Sequence, residues 1–465
     1  MTLRLCIIAL LATSSVGFAG EKLNLTIEDA VQIALERNRS LKMARQRTQS
    51  SVYSVKDAKT AFFPRLNAKG TYTRLDERPY MDASSFGQMF APLMAPFSAL
   101  VDSGFLDAAT LEGLQQDGGD SRIYVGQQDN YNLNLSVQQP LFTGGTIWHG
   151  YQITKLAEQS EEYNLHRDEN QVRYDVTAAY LGLVKAKDFL TITEESITQV
   201  KTHISDLQNL SDEGMIIEND LLRARVQLSN VRLLNSRAAN GVRLADSYLC
   251  HLLGIDLETE IEPKDLPPVL FEVGEELESY TQMAQVNRPE IKTMNNNIKI
   301  GERLVEIQRG RYLPSLALVG NYDWKRPNQQ YEPDFYGSWN ITLALQVELF
   351  NWGSTHYNIQ KARIAQRQIV ESYNLLADGI SLEVKQAFLN LGEAREALDI
   401  AEETIIQAEE NFRMTKENFH EGVATNADLL DAQTSLTSAK IDRATTHADL
   451  LIAQARLNLV TAGPK

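Results

Sequence analysis

Asp428 and Asp431 stand three residues apart, at the start of the helix expected after a turn at Gly422, so they share one helix face. Carboxylates gathered this way from several copies around one axis would repel each other, favour cations and hold multivalent metal. Two plainer readings stand beside that one. Thr425-Asn426-Ala427-Asp428 has the spacing of a capping box, in which Asp428 reaches back to Thr425. Asp431 could also pair with Arg223 across neighbouring helices. Little else in the chain could do chemistry. The seven histidines, His149, His166, His203, His251, His356, His420 and His447, make no metal-ligand spacing and read as surface residues. No G-x-S-x-G, G-x-G-x-x-G or P-loop pattern occurs. The residues therefore predict no enzyme, no cofactor and no bound metal.

The acidic pair lies in the second of two copies of one unit. Tyr131-Asn-Leu-Asn-Leu-Ser-Val-Gln-Gln-Pro-Leu-Phe142 returns as Trp339-Asn-Ile-Thr-Leu-Ala-Leu-Gln-Val-Glu-Leu-Phe350, at an offset of 208. The same offset carries Gly214…Asp220-Leu221-Leu222 onto Gly422…Asp428-Leu429-Leu430. Pro64-Arg-Leu-Asn-Ala-Lys-Gly-Thr-Tyr72 returns as Pro314-Ser-Leu-Ala-Leu-Val-Gly-Asn-Tyr322, now at an offset of 250. Such repeats imply one supersecondary unit used twice. Residues 20–260 form repeat one and 261–465 repeat two, each with a helix, a strand pair, a long helix and a return helix. The repeat-one equivalents of the acidic pair are Asp220 and Arg223, so the pair belongs to one repeat only.

Strands are expected at about 64–74, 130–142, 314–324 and 338–350. From Tyr131 to Val137 every odd residue is apolar and every even one polar, and the copy from Trp339 keeps this parity. Period-two alternation marks a strand with two unlike faces. About 10 residues is the length a tilted strand needs to cross a bilayer. Tyr72, Tyr131, Phe142, Tyr322, Trp324, Trp339, Phe350 and Trp352 sit near the strand ends, like the aromatic girdles of outer-membrane barrels. A soluble antiparallel sheet packed on helices alternates equally well. Export favours the barrel: Arg4, an apolar run from Leu5 to Ala12 and Gly17-Phe-Ala19 read as a signal peptide, residues 1–19. Cys6 leaves with it, so Cys250 stands alone and no intrachain disulfide forms. The net charge of −16 disfavours nucleic acid and anionic surfaces as partners. The loop inside the first strand pair has 58 residues and that inside the second has 16; the insertion, about 80–128, carries an apolar stretch from Met89 to Leu100.

After each strand pair about 70 residues run without proline to Gly214 or Gly422, roughly 100 Å of helix each. The segments about Asn219–Leu253, Thr26–Phe62, Asn426–Val460 and Leu277–Tyr312 are half as long, so two stacked end to end match one long helix. Four strands cannot close in a membrane, where each unpaired backbone group costs several kcal/mol. Two chains would give 8 strands with a filled interior; three would give 12 with room for a pore. The same trimer brings 12 rods around a lumen of roughly 25 to 30 Å. The reading is a mixed α and β membrane protein, a trimeric 12-stranded β-barrel with four strands per chain, continued by a long α-helical barrel. The turns around Gly214, Asp220 and Leu221, and around Gly422, Asp428 and Leu429, then lie farthest from the barrel, where a periplasmic partner can reach them.

This pattern resembles the TolC-type outer-membrane efflux proteins over essentially the whole mature chain. The resemblance rests on Gln139-Pro-Leu-Phe-Thr-Gly-Gly145, Leu349-Phe-Asn-Trp-Gly353, the proline-led first strands, and the two Gly-x5-Asp-Leu-Leu turns. It implies a homotrimer in outer-membrane lipid that reaches into the periplasm. It also implies a passive exit duct fed by an inner-membrane pump of RND, ABC or MFS type through a periplasmic membrane-fusion adaptor, in tripartite efflux or type I secretion. It further implies that Asp428 and Asp431 form a gate and cation filter. Two departures are visible: Pro140 is matched by Glu348, and Ala424 stands where the best-known member carries a basic latch residue. The competing reading is an exported helical rod or adhesin without channel activity. The cargo is not written in the sequence.

Overall fold

The computed structural model describes residues 22–82, 122–264 and 276–462. The expected signal peptide, and most of the long insertion with its Met89–Leu100 stretch, lie outside these residues. The chain divides into a strand unit, Lys56–Gln152 with Arg303–Ala362, and a helical unit made of the remaining segments. In order, the elements are β1 (Leu23–Leu25), α1 (Ile27–Arg37), α2 (Arg39–Thr60), β2 (Arg65–Arg74), β3 (Tyr80–Asp82), β4 (Arg122–Tyr124), β5 (Asp129–Thr143), α3 (Thr146–Asp212) and α4 (Glu218–Leu253). Then follow β6 (Ile261–Pro263), α5 (Leu277–Asn287), α6 (Pro289–Gly310), β7 (Ser315–Arg326), β8 (Tyr336–Gln346), α7 (Ser354–His420) and α8 (Asn426–Thr461).

In the strand unit, β2, β5, β7 and β8 form one antiparallel sheet in that order. Each hairpin pairs its aromatic ends: Tyr72 lies opposite Tyr131, and Tyr322 opposite Trp339. Among the described residues no layer covers the apolar face within the unit. Leu66 and Trp339 are each 72% exposed, and Ile341, Leu343 and Leu345 are exposed beside them. A soluble sheet would bury such a row against helices. The fourth strand stops at Gln346, short of the expected 350, because its partner β7 begins at Ser315 and offers nothing beyond that register.

In the helical unit, α3 and α7 are each 67 residues long. Two of the four expected half-length helices are each split in two, while Glu218–Leu253 and Asn426–Thr461 run unbroken. Thr26–Phe62 breaks at Asn38, whose Oδ1 accepts from the Leu41 backbone N–H and so caps α2, while its Nδ2 donates to Leu252 O. Leu277–Tyr312 breaks before Pro289, which opens α6 at the one helical position where proline lacks nothing. Arg288 fixes that break by reaching both Glu290 and Glu383. One core joins Leu25, Ala34, Leu41, Val176, Tyr180, Leu249 and Ile261; the parallel pair β1–β6 is pinned there by the Tyr180 hydroxyl, which lies 2.9 Å from Leu25 O and 2.8 Å from Lys264 O. A second core joins Ile380, Val384, Leu391, Leu450 and Val460. Among the described residues no helix is long and apolar enough to cross a membrane.

Candidate functional site at the helical turns

Two sharp reversals end the long helices. Gly214 follows α3 with φ +67 and Gly422 follows α7 with φ +74. Met215 N–H bonds Leu210 O and Gly214 N–H bonds Ser211 O; Val423 N–H bonds Asn418 O and Gly422 N–H bonds Phe419 O. This paired bonding with a left-handed glycine is a Schellman motif, and it satisfies the orphan carbonyls of each helix end. A Cβ at either glycine would meet open space, so the requirement is one of backbone angle alone.

The two turns are tied together by buried polar groups. Asn426, 5% exposed, opens α8. Its Oδ1 lies 2.7 Å from His203 Nε2 on α3, and its Nδ2 donates to Asp220 O on α4 at 3.0 Å. His203 stacks edge-on to Phe419 of α7. Beneath them Leu207, Leu221, Ala224 and Leu430 form an apolar cluster. Leu221, part of this cluster, and Leu429, also buried, both expected at a docking surface, are turned inward. The exposed apolar residues here are Met215, Ile217, Leu222, Val226 and Val423.

Asp428 and Asp431 both lie exposed on α8. Asp428 completes a capping box: its Oδ2 accepts from Thr425 Oγ1 at 2.6 Å and Thr425 N at 2.8 Å, while its own N–H donates to Thr425 Oγ1. Hydrogen bonds from the Thr425 side chain, then from its backbone, hold this carboxyl below its usual range. Asp431 borders a groove of about 390 Å³ between α4 and α8, shared with Leu222, Arg223, Val226 and Leu430. Among the described residues no ion pair joins Asp431 to Arg223. Nor is there any cluster of three His, Cys, Asp or Glu able to hold a metal.

A chain built from two long-helix repeats and a bare four-stranded sheet has known counterparts. The model of the outer membrane efflux protein family matches residues 30–254 and 280–463. The chain belongs to this family. Among its relatives is the alkaline protease secretion protein AprF of Pseudomonas aeruginosa, 25% identical over 351 residues, covering 71% of this chain and 69% of that one. Outer membrane protein TolC of Escherichia coli is 18% identical over 372 residues, 74% of this chain and 73% of its own. The CusC structure superposes with a TM-score of 0.75 at 15% identity, over 94% of this chain and 92% of that chain. The outer-membrane channel OprN gives 0.74 at 18% identity, over 94% and 90%. As an outer membrane efflux protein the chain is a passive exit channel of the outer membrane, not an enzyme.

In this efflux protein His203, which the sequence reads as a surface histidine, is buried. Its spacing held the signal: Val200 and Leu207, both buried, flank it at three and four residues on one helix face. Asn426 gave none, since only the fold brings it to His203. The coil formed by α8 carries further polar ties to repeat one: Gln227 Nε2 donates to Thr434 Oγ1, and Lys440 pairs with Glu195 at 2.9 Å.

Proposed function

We propose that three copies of this efflux protein close one 12-stranded barrel, and that the trimer is the exit duct of a tripartite efflux or type I secretion system. The single observation that carries this is the four-stranded sheet, which among the described residues has β2 and β8 at its open edges and its apolar face uncovered. Open edges in lipid cost several kcal/mol per unpaired group, and three copies remove all of them while leaving a pore. Residues 1–19 act as the signal peptide, and 20–260 and 261–465 as the two repeats. The α-helical barrel, built from α3, α4, α7, α8 and the shorter helices, reaches into the periplasm. The turns at Gly214 and Gly422 receive a periplasmic adaptor, which brings an inner-membrane pump; Met215, Ile217 and Val423 offer the apolar contact and Asp220 the charge. Asp428 and Asp431 face the axis near this end, six carboxylates per trimer, and favour cations. A relative named for alkaline protease secretion supports the secretion branch.

Mass determination in mild detergent tests the assembly. The expected species is three chains. A folded membrane monomer overturns the reading, and a dimer overturns the wide pore. Crosslinking in cells, followed by identification of captured partners, tests the system: capture of neither an adaptor nor a pump overturns it.

A further inference from the structure

The sheet has two open edges, and its internal duplication fixes how they meet. We propose that β8 joins β2 of a second copy in the register that β5 keeps with β7, so that Leu343 lies opposite the partner's Tyr72 and Val347 opposite the partner's Ala68. The proposal rests on the assembly above and adds the residue-level seam.

Both hairpins have one register. Arg65 pairs with Gln138 and Tyr72 with Tyr131; Ser315 pairs with Gln346 and Tyr322 with Trp339. These are the same positions at the two repeat offsets, without slip. The chain contains one junction between repeats, β5 with β7, where Leu135 meets Tyr322, Gln139 meets Leu318, and a bulge leaves Leu141 out before Phe142 meets Leu316. Closure sets β8 beside the partner's β2, and the duplication makes that seam the counterpart of the β5–β7 junction. Carrying the offsets across sets Leu343 against the partner's Tyr72 and Val347 against the partner's Ala68. Leu349 becomes the bulged residue, and Phe350 meets the partner's Leu66.

Three observations support this register independently. First, Val347–Phe350 lie past the end of β8 and past the reach of β7, whereas their equivalents Gln139, Pro140 and Phe142 are paired. Leu349 is 91% and Phe350 71% exposed, and among the described residues no strand pairs with them. Second, the parity agrees: apolar meets apolar at the pairs above, and Thr342 meets the partner's Thr73. A slip of one residue would set Leu343, Leu345 and Val347 against polar side chains. Third, Glu348, which replaces Pro140, falls opposite the partner's Asn67. It is flanked on the same face by the partner's Arg65 and the partner's Lys69, diagonal positions that long side chains reach. Within the chain Glu348 accepts from Asn351 Nδ2. The repeat therefore departs from its pattern where the seam supplies two cations.

The test is disulfide trapping in isolated outer membranes. Directly opposed residues suit a disulfide, while a shift of two positions moves the Cβ atoms to about 7 Å, which does not. Leu343→Cys with Tyr72→Cys should give covalent oligomers on a denaturing gel at least tenfold faster than Leu343→Cys with Gly70→Cys or Leu345→Cys with Tyr72→Cys. Faster trapping in a shifted pair overturns the register and leaves the assembly standing. Oligomers with no trapping in any pair overturn the β8–β2 seam, and loss of oligomers in the unmodified chain overturns the assembly reading itself. Should the cysteine chains fail to insert, charge exchange decides: Glu348→Lys should lower the dissociation temperature of the trimer, and adding Lys69→Glu should restore it. Failure of that rescue overturns the register.

Discussion

Replacing Asn426 with alanine should loosen the turn end of the protein while leaving the rest of it assembled. The side chain is buried and bonds His203 Nε2 and Asp220 O, with a longer contact to Asp220 Oδ1. Each bond is worth about 1 kcal/mol net, and deletion also strands the buried His203 ring nitrogen at roughly 1 to 3 kcal/mol. Water reaching the new gap recovers part of that, so the local cost is about 2 to 4 kcal/mol. At about 1.4 kcal/mol per factor of ten, local opening should rise roughly 30- to 1,000-fold. Amide hydrogen exchange reads this directly: Leu221, Leu429 and Leu430 should lose protection by that factor. Amides of α1 and of the Val176–Tyr180 stretch, which belong to another core, should not change. The proposed trimer should survive, and basal conductance in planar bilayers should rise if these turns govern closure. Unchanged protection at Leu429 and Leu430 would show that the polar bracket does not hold the turns, and the reasoning fails.

Other outcomes follow from the same geometry. Gly422→Ala should cost about 1 kcal/mol through its positive φ alone, since the site has room, and export should fall with trimers intact if an adaptor docks there; normal export in a bulkier Gly422 variant refutes docking. Asp428→Ala with Asp431→Ala should abolish cation preference and block by trivalent metal in single-channel recordings, and unchanged selectivity places the constriction elsewhere. The folded-state pKa of Asp428 is depressed, so its contribution is present above the unfolded value and disappears as pH falls through the lower folded one. Stability of α8 by hydrogen exchange should therefore drop only in strong acid, and should lose that acid dependence in Asp428→Asn. Burial pushes the Cys250 thiol up to about 11, so maleimide should label it in unfolded chain and barely in native protein.

The chain announces its architecture because the signals that set it are local. Period-two alternation at Tyr131–Val137 and Trp339–Val347 needs no third dimension to be read, and neither do two proline-free helical runs ending at glycine. The duplication is equally visible, and it carries the strand register with it. What the sequence could not decide were relations between distant segments. Asn38 and Pro289 break helices whose composition alone looks continuous, and the Asn38 break is fixed by a carbonyl more than 200 residues away, Leu252 O. Leu221, Leu429 and His203 face inward because α3, α4, α7 and α8 converge at the turns. Burial there depends on which faces meet, and helical periodicity names a face without naming its partner. Asp428 illustrates both levels: its spacing from Thr425 announced the capping box, while the fold alone left its neighbour Asp431 exposed beside Arg223 without pairing to it.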